Sequence, residues 1–593
     1  MKNFFSSFLG ALLGVIVSAV LFVVFIIAIV IAGLGDAMKL EDEVNLKKNS
    51  ILLMDLSTPI PERDSDNPLS GFSFTSFQTD QGIGLDQIIE NIKKAKSDSM
   101  IKGIYLNLTE VGAGMATLEE IRNALLDFKT SKKFIISYSE MYTQKGYYLS
   151  SVADKIYLNP QGGFDFKGLS MQIMFYKKAL ENLNVDVQIF RHGKFKSAIE
   201  PFMLEKMSEA NRAQSEAFLG SLWNRMLEGI SVERKVSIDW LNKIADDLLI
   251  QNPQDASNLK LVDGLLYYDE VIKQMKSNLK IKDEDKISFV SMKEYKKVAT
   301  DSEDKEGKSK DKIAVIYAVG EIESGEGDDQ TIGSDRIAKA IRDARLNKSV
   351  KGIVLRVNSP GGSALASDVM WREVTLAKKE KPFVVSMGDV AASGGYYISC
   401  AADKIYAQPN TITGSIGVFG MIPNAQKMLS DKIGITIDTV NTNKHSDMGT
   451  LYRGVTEDER KVIQKGVEDV YDTFTGRVAE GRKMKQAEVD SVGQGRVWSG
   501  TDALKIGLVD ELGGIKDAIV FAAKKAKIDQ YKIVNYPKQK DIFSEIFEKK
   551  KEEAETALLY KTFGESYKYV KNLRDILKMK GIQARMPFEM IIE

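Results

Sequence analysis

"KPFVVSMGDVAASGGYYISCAADKIYAQP", residues 381–409, has a counterpart in "KKFIISYSEMYTQKGYYLSSVADKIYLNP", residues 132–160. Tyr147 falls opposite Tyr396 and Lys155 opposite Lys404, both 249 positions apart. Upstream, "IKGIYLNLTEVGAG" (101–114) matches "VKGIVLRVNSPGGS" (350–363) at the same spacing. Downstream, "DASNLKLVDGL" (255–265) matches "DALKIGLVDEL" (502–512) once small gaps are allowed. A period the size of a domain marks a tandem duplication rather than a solenoid. Within the copies, strand-like runs alternate with helical patterns. "IAVIYAV" (313–319), "GIVLRV" (352–357) and "PFVVSMG" (382–388) read as buried strands. "SDRIAKAIRDARL" (334–346) and "ASDVMWREVTLAKKE" (366–380) read as amphipathic helices. The alternation predicts an α/β fold with largely parallel pairing.

The chain has 593 residues, too many for one core, so two or more domains are expected. Its 82 basic and 82 acidic residues balance, which gives no basic footprint for nucleic acid. The single cysteine, Cys400, excludes internal disulfides and argues against a thiolate zinc site. "FLGALLGVIVSAVLFVVFIIAIVIAGLG", Phe8 to Gly35, carries no charge. A helix needs about 20 such residues to cross ~30 Å of hydrocarbon. The apolar part of a cleaved signal peptide is shorter, about 7–15 residues. The stretch therefore predicts an uncleaved transmembrane helix. Lys2 precedes it and mixed charge follows, which favours an extracytoplasmic body. The expected organisation is an anchor over 8–35, a first domain over 45–299, a charged linker over 300–312, a second domain over 313–537 and an amphipathic helical tail over 538–593.

Duplication lets the copies be compared position by position. In "GDVAASGGYYISC" (388–400), Ser393 precedes Gly394 and Gly395, a run suited to a sharp turn that opens a helix. The first copy has Gln144 opposite Ser393 and Lys145 opposite Gly394. It also has "TEVGAGM" (109–115) where the second has "NSPGGSA" (358–364). Conversely, "VQIFRHGKFKSAIEPF" (187–202) aligns with "IDTVNTNKHSDMGTLY" (437–452), which puts Lys196 opposite Ser446. Each copy keeps one part of a split site.

A serine hydroxyl needs a base to become a nucleophile. The two histidines, His192 and His445, both lie far from Ser393 in sequence. A lysine amine can serve if it is neutral. At its ordinary pKa of about 10.4, deprotonation at pH 7 costs about 4–5 kcal/mol. Burial lowers that pKa by up to about 3–5 units. Phe195, Ala198, Ile199 and Phe202 offer an apolar setting around Lys196, and a second cation, Lys194, would depress it further. Spacing alone does not choose between Lys194 and Lys196. The developing oxyanion needs backbone donors. Gly394 is one candidate, and Gly361 or Gly362 of the Pro-Gly-Gly turn is the other.

"GDVAASGGYYIS", "NSPGGSA", "TGSIGVFG" (413–420), "GRVWSGTDALKIGLVDELGG" (495–514) and "GKFKSAIEPF" (193–202) together resemble the signal peptide peptidase A, or protease IV, family in its long duplicated bacterial form. The resemblance covers nearly the whole chain. It implies a tandem crotonase/ClpP-like fold and a Ser-Lys dyad, with Ser393 as nucleophile and Lys196, not Lys194, as general base. Ser415 would orient the lysine, and Gly394 with the Pro-Gly-Gly turn would form the oxyanion hole. It also implies signal peptides and other apolar peptides as substrates, a homotetramer on the outer face of the cytoplasmic (inner) membrane, on the periplasmic side, and no cofactor or metal. "EPFMLEKMSEA" is less acidic than the family's usual segment after the base, which bears on substrate preference. Two other classes compete. A crotonase-type acyl-CoA enzyme would need acidic or water-positioning residues and no Ser393. A catalytically silent scaffold would tolerate loss of both dyad members. A "GxSxG" elbow is missing around Ser393, which disfavours an α/β-hydrolase.

Overall fold

Strands β1 (Ser50–Met54), β2 (Ile101–Asn107), β3 (Phe134–Tyr142) and β4 (Lys155–Phe164) begin with runs of buried apolar residues. Such runs suit a parallel sheet covered on both faces. This is a computed structural model, and it describes residues 46–64, 82–298, 309–539 and 581–586, with isolated positions elsewhere. After β4 the chain forms β5 (Asp186–Arg191), β6 (Gly264–Leu265) and β7 (Phe289–Ser291). The first sheet runs β7-β1-β2-β3-β4-β6, and every pairing in it is parallel. Three helices matter in this copy: α1 (Met115–Lys129), α2 (Gln144–Ser150) and α3 (Glu209–Arg234).

The second copy repeats the plan. It contains β8 (Lys312–Val319), β9 (Glu321–Glu323), β10 (Thr331–Gly333), β11 (Val350–Ser359), β12 (Gly361–Ser363) and β13 (Phe383–Ala392). Then come β14 (Lys404–Ala407), β15 (Ile412–Gly414), β16 (Phe419–Asn424), β17 (Val497–Ser499), β18 (Glu511–Leu512) and β19 (Lys532–Tyr536). Its helices include α4 (Ala364–Glu380), α5 (Gly394–Ser399) and α6 (Glu457–Arg482). The second sheet runs β17-β15-β13-β11-β8-β19, with β14 beside β13 and β18. Strands starting at 101, 134 and 155 recur at 350, 383 and 404, each 249 residues later. The duplication read from sequence is thus carried into the fold, and the expected strands and helices of the second copy form where the pattern placed them.

A third sheet joins the copies. Its order is β10-β9-β12-β20-β16-β5, where β20 is Gln583–Arg585. Here β5 of the first copy pairs antiparallel with β16 of the second, from Phe419 opposite Arg191 to Asn424 opposite Asp186. A buried ionic cluster also crosses the seam. Fully buried Arg356 meets Glu62 and Glu120, each at 2.7 Å, and Asn358 donates to Glu62 at 2.7 Å. Burial raises the pKa of Glu120, opposed by the Arg356 charge. Asp389 accepts from the backbone N–H groups of Ala116 and Thr117, at 2.8 and 3.0 Å, where α1 begins.

The expected anchor over 8–35 lies almost wholly outside the described residues. Among the described residues, no helix is long and apolar enough to cross a membrane. Most of the expected linker also lies outside them, and β8 already begins at its last residue, Lys312. The expected helical tail falls mainly on residues that are not described. Where the description resumes, residues 583–585 are strand rather than helix.

Candidate active site

Strand β13 ends at Ala392 and helix α5 starts at Gly394, so Ser393 is the whole connection. The turn forces Ser393 to φ 54 and ψ −112, a conformation L-residues adopt at a cost of about 1–3 kcal/mol. It is held there by its N–H, which donates to the Gly414 carbonyl at 2.8 Å, and by its carbonyl, which accepts from the Tyr397 N–H at 2.8 Å. Strain maintained by its surroundings at one serine is a functional signal.

Lys196 reaches this serine from the other copy. Its amine donates to Ser393 Oγ at 2.8 Å, and to the hydroxyl and carbonyl oxygens of Ser415 at 3.2 Å each. Both Lys196 and Ser393 are fully buried. Strand β5 delivers the lysine by pairing with β16, and the loop is then fixed on both sides. Phe195 N–H donates to the Gln494 carbonyl at 3.0 Å. Gln214 of α3 donates to the Phe195 carbonyl and to Ser197 Oγ, at 3.1 and 3.0 Å, while its own oxygen accepts from Val497 N–H. Ser415 is itself in a left-handed conformation, φ 49, with its N–H on the Arg496 carbonyl at 2.7 Å. Burial pushes the Lys196 pKa well below its ordinary value. A neutral amine is the form that can accept a proton from Ser393.

Of the two lysines, Lys196 meets Ser393, whereas Lys194 is exposed with its amine over the Phe195 ring. Two expectations need correction. Burial lowers the Lys196 pKa as expected, but without the further depression expected from the charge of Lys194. Phe202 does not enclose the amine; it stacks on Tyr176 and packs with Leu180, because the chain turns away after Ile199. Ala198 and Ile199 do pack beside the site, against Phe419. Neither histidine is bonded to Ser393. His192 pairs with Glu468 and His445 with Glu459, both carboxylates on α6.

The remaining candidates are brought together at the same turn. Gly361 has φ +97, and a Cβ there would lie 2.7 Å from the backbone nitrogen of Gly394. Its own N–H is taken by Ser359 Oγ at 3.1 Å. Gly362 follows in β12, at the edge facing β20. In the first copy the matching place is filled by its own loop: Gln144 accepts from the N–H groups of Lys167 and Gly168, at 3.0 and 2.9 Å.

Sequence reasoning missed three residues that the site uses. A Cβ on Gly417 would press on Lys196 Cδ at 3.3 Å, and one on Gly495 would sit 2.6 Å from Lys196 N and Cα. Both glycines stand in motifs already quoted, so their spacing was visible without its purpose. Gln214 carried no signal, since a glutamine within a helix is ordinary.

The comparisons with known proteins fit this two-copy arrangement. The family model "Peptidase family S49" matches twice, over residues 127–282 and 375–529. The chain is 37% identical to "Protease 4" of Salmonella typhi, over 86% of this chain and 84% of that protein. It is 36% identical to "Protease 4" of Haemophilus influenzae, covering 74% and 72%. It is 34% identical to "Serine protease SPPA, chloroplastic" of Arabidopsis thaliana, covering 82% and 70%. Among solved structures, a ClpP1 mutant from Listeria monocytogenes matches with a TM-score of 0.24 and 16% identity, covering 35% of this chain and 94% of that one. Two matches to one family model, with relatives similar along most of their length, show that the chain belongs to peptidase family S49, in its duplicated form.

Proposed function

We propose that the chain is a membrane-anchored serine endopeptidase with a Ser393–Lys196 dyad, acting on signal peptide remnants and other apolar peptides. The observation that carries the reading is the 2.8 Å contact between a buried lysine amine and a buried, conformationally strained serine hydroxyl. Neutral Lys196 takes the proton as Ser393 Oγ attacks the scissile carbonyl. Backbone N–H groups of Gly394 and the Pro-Gly-Gly turn hold the oxyanion. The lysinium returns the proton to the leaving amine as the C–N bond breaks, leaving an acyl-enzyme. Water, deprotonated by the same amine, then releases the acid and restores Ser393. Ser415 keeps the amine aimed through both contacts.

Anchoring rests on the uncharged stretch Phe8 to Gly35, and places the body on the periplasmic side of the inner membrane. The homotetramer is carried over from the family resemblance, and the repeat supports assembly in general. Residues 187–202 dock on the neighbouring copy within the chain, while their counterpart, 437–452, is left exposed, with Val440 at 99% and Leu451 and Tyr452 also open. The same arm offered to another subunit makes an assembly.

A fluorophosphonate probe tests the dyad. Labelling is expected in the parent, to vanish in Ser393→Ala and to fall steeply in Lys196→Ala. Undiminished labelling in Ser393→Ala removes the proposed nucleophile.

A further inference from the structure

The strand that ends in the nucleophile breaks its pairing just before it arrives there. β13 pairs with β11 up to Met387 opposite Val357, and pairing resumes with Ala391 opposite Ser359. Gly388, Asp389 and Val390 therefore stand against Asn358 alone, a bulge of two extra residues. Counted from Ala391 opposite Ser359, the bulge brings Ser393 level with Gly361. At ~3.3 Å per residue, a regular ladder would carry the serine about 7 Å past that glycine. Bulges beside active sites re-aim side chains in this way.

The first copy grips all three bulge residues. Asp389 Oδ1 accepts from the N–H groups of Ala116 and Thr117 at 2.8 and 3.0 Å, and Oδ2 from Thr117 Oγ1 at 2.6 Å. Those groups open α1, whose own cap position is Gly114 and whose first turn has no acidic residue. The helix takes its capping side chain from the other copy. Val390 N–H donates to Asn358 Oδ1 at 3.1 Å, and Asn358 Nδ2 in turn donates to Glu62 at 2.7 Å. A Cβ on Gly388 would run into the same Glu62 oxygen.

The corresponding place in the first copy is built differently. Glu140, opposite Asp389, is exposed. The N–H of Met141, opposite Val390, is taken at 3.1 Å by Ser139 Oγ of its own strand. That copy ends the strand at Gln144 instead of a serine. Of the two bulges, the one tied across the seam is the one that a nucleophile follows.

We propose that Asp389 is a positioning residue for Ser393. By capping α1 of the first copy it fixes the bulge, and with it the height of the hydroxyl against the oxyanion glycines. Docking of the copies then places the nucleophile as well as the base. The proposal rests on the Ser-Lys reading of the site, and its test separates the two.

The full chain is used throughout. Asp389→Ala is expected to slow fluorophosphonate labelling at least about tenfold while cooperative thermal unfolding is retained. The midpoint of the rate against pH is expected to stay at the parent's value, because Lys196 loses no contact. Asp389→Asn keeps an oxygen for both N–H groups and is expected to restore most of the rate. Parent-like labelling in Asp389→Ala, a shifted midpoint, or no recovery in Asp389→Asn each overturns the proposal. Thr117→Val deletes one of the three contacts from the other copy and serves where Asp389→Ala does not fold. It is expected to label about threefold more slowly, and a parent-like rate there also overturns the proposal. Hydrogen exchange is read in a Ser393→Ala background, where no chemistry intervenes. Adding Asp389→Ala is expected to speed exchange of amides 391–395 about tenfold while those of β8 keep their protection. Unchanged exchange overturns the proposal. Faster exchange beside a parent that never labels sustains the positioning role and removes the Ser-Lys reading.

Discussion

Gly495→Ala tests whether the position of the Lys196 amine governs the chemistry. Gly495 has φ +83, and its added methyl would stand 2.6 Å from Lys196 N and Cα and 2.7 Å from Lys196 Cβ. All three atoms belong to backbone or its first carbon, so no flexible end can swing away. Ordinary contact begins at 3.4 Å, so the lysine backbone must retreat by roughly 0.8 Å. A misplacement of about 1 Å at a reacting group costs on the order of 10²-fold in rate. The left-handed backbone adds about 1 kcal/mol of strain, which a folded chain can absorb. The assay is the second-order rate of fluorophosphonate labelling, read beside the thermal unfolding midpoint. The expected result is a labelling rate about 10²-fold lower with the cooperative transition retained. Parent-like labelling in a folded Gly495→Ala chain refutes the claim that this loop's placement sets the base.

Other outcomes follow from the same geometry. The labelling rate should rise with pH as Lys196 loses its proton, with a midpoint well below the amine's ordinary value, because burial depresses its pKa; a profile flat from acid to alkali contradicts a lysine base. Folding stability carries the same sign. The folded chain holds Lys196 neutral while the unfolded chain protonates it, so its contribution to stability falls as pH drops from the ordinary lysine value through the depressed one. Lys196→Met should therefore abolish labelling and raise the denaturation midpoint at neutral pH. Ser415→Ala removes one of the amine's three contacts and should slow labelling about tenfold, the size of one hydrogen bond of ~1–1.5 kcal/mol, with the fold unchanged by circular dichroism. Arg356→Met leaves Glu62 and Glu120 buried without their cation and should cost about 3–5 kcal/mol in denaturant unfolding.

Much of this was legible in the residues. A constant spacing of 249 carried the duplication, and the exchange of Ser393 for Gln144 and of Lys196 for Ser446 pointed to one site built from two copies. The strands fell where apolar runs put them because buried parallel strands have little polar alternation to confuse the pattern. The choice between Lys194 and Lys196 was not legible from spacing, since two residues on one loop differ only in the direction they face. The end of the chain misled for a similar reason. A three-residue strand has too few positions to show a period, and its partners, Gly361–Ser363 and Phe419, lie more than 160 residues upstream. Charged residues around 540–560 made a helix the natural reading of everything that followed.

The dyad's two members are 197 residues apart in the chain. On the proposed reading, this separation governs when the protein becomes dangerous to its neighbours. Synthesis releases the amine first, attached to nothing it can activate. The hydroxyl emerges much later, and even then it is inert until β5 zips onto β16. Hydrolytic capacity therefore appears only at the close of folding, so a half-made or unravelled molecule carries both chemical parts yet has no cutting power.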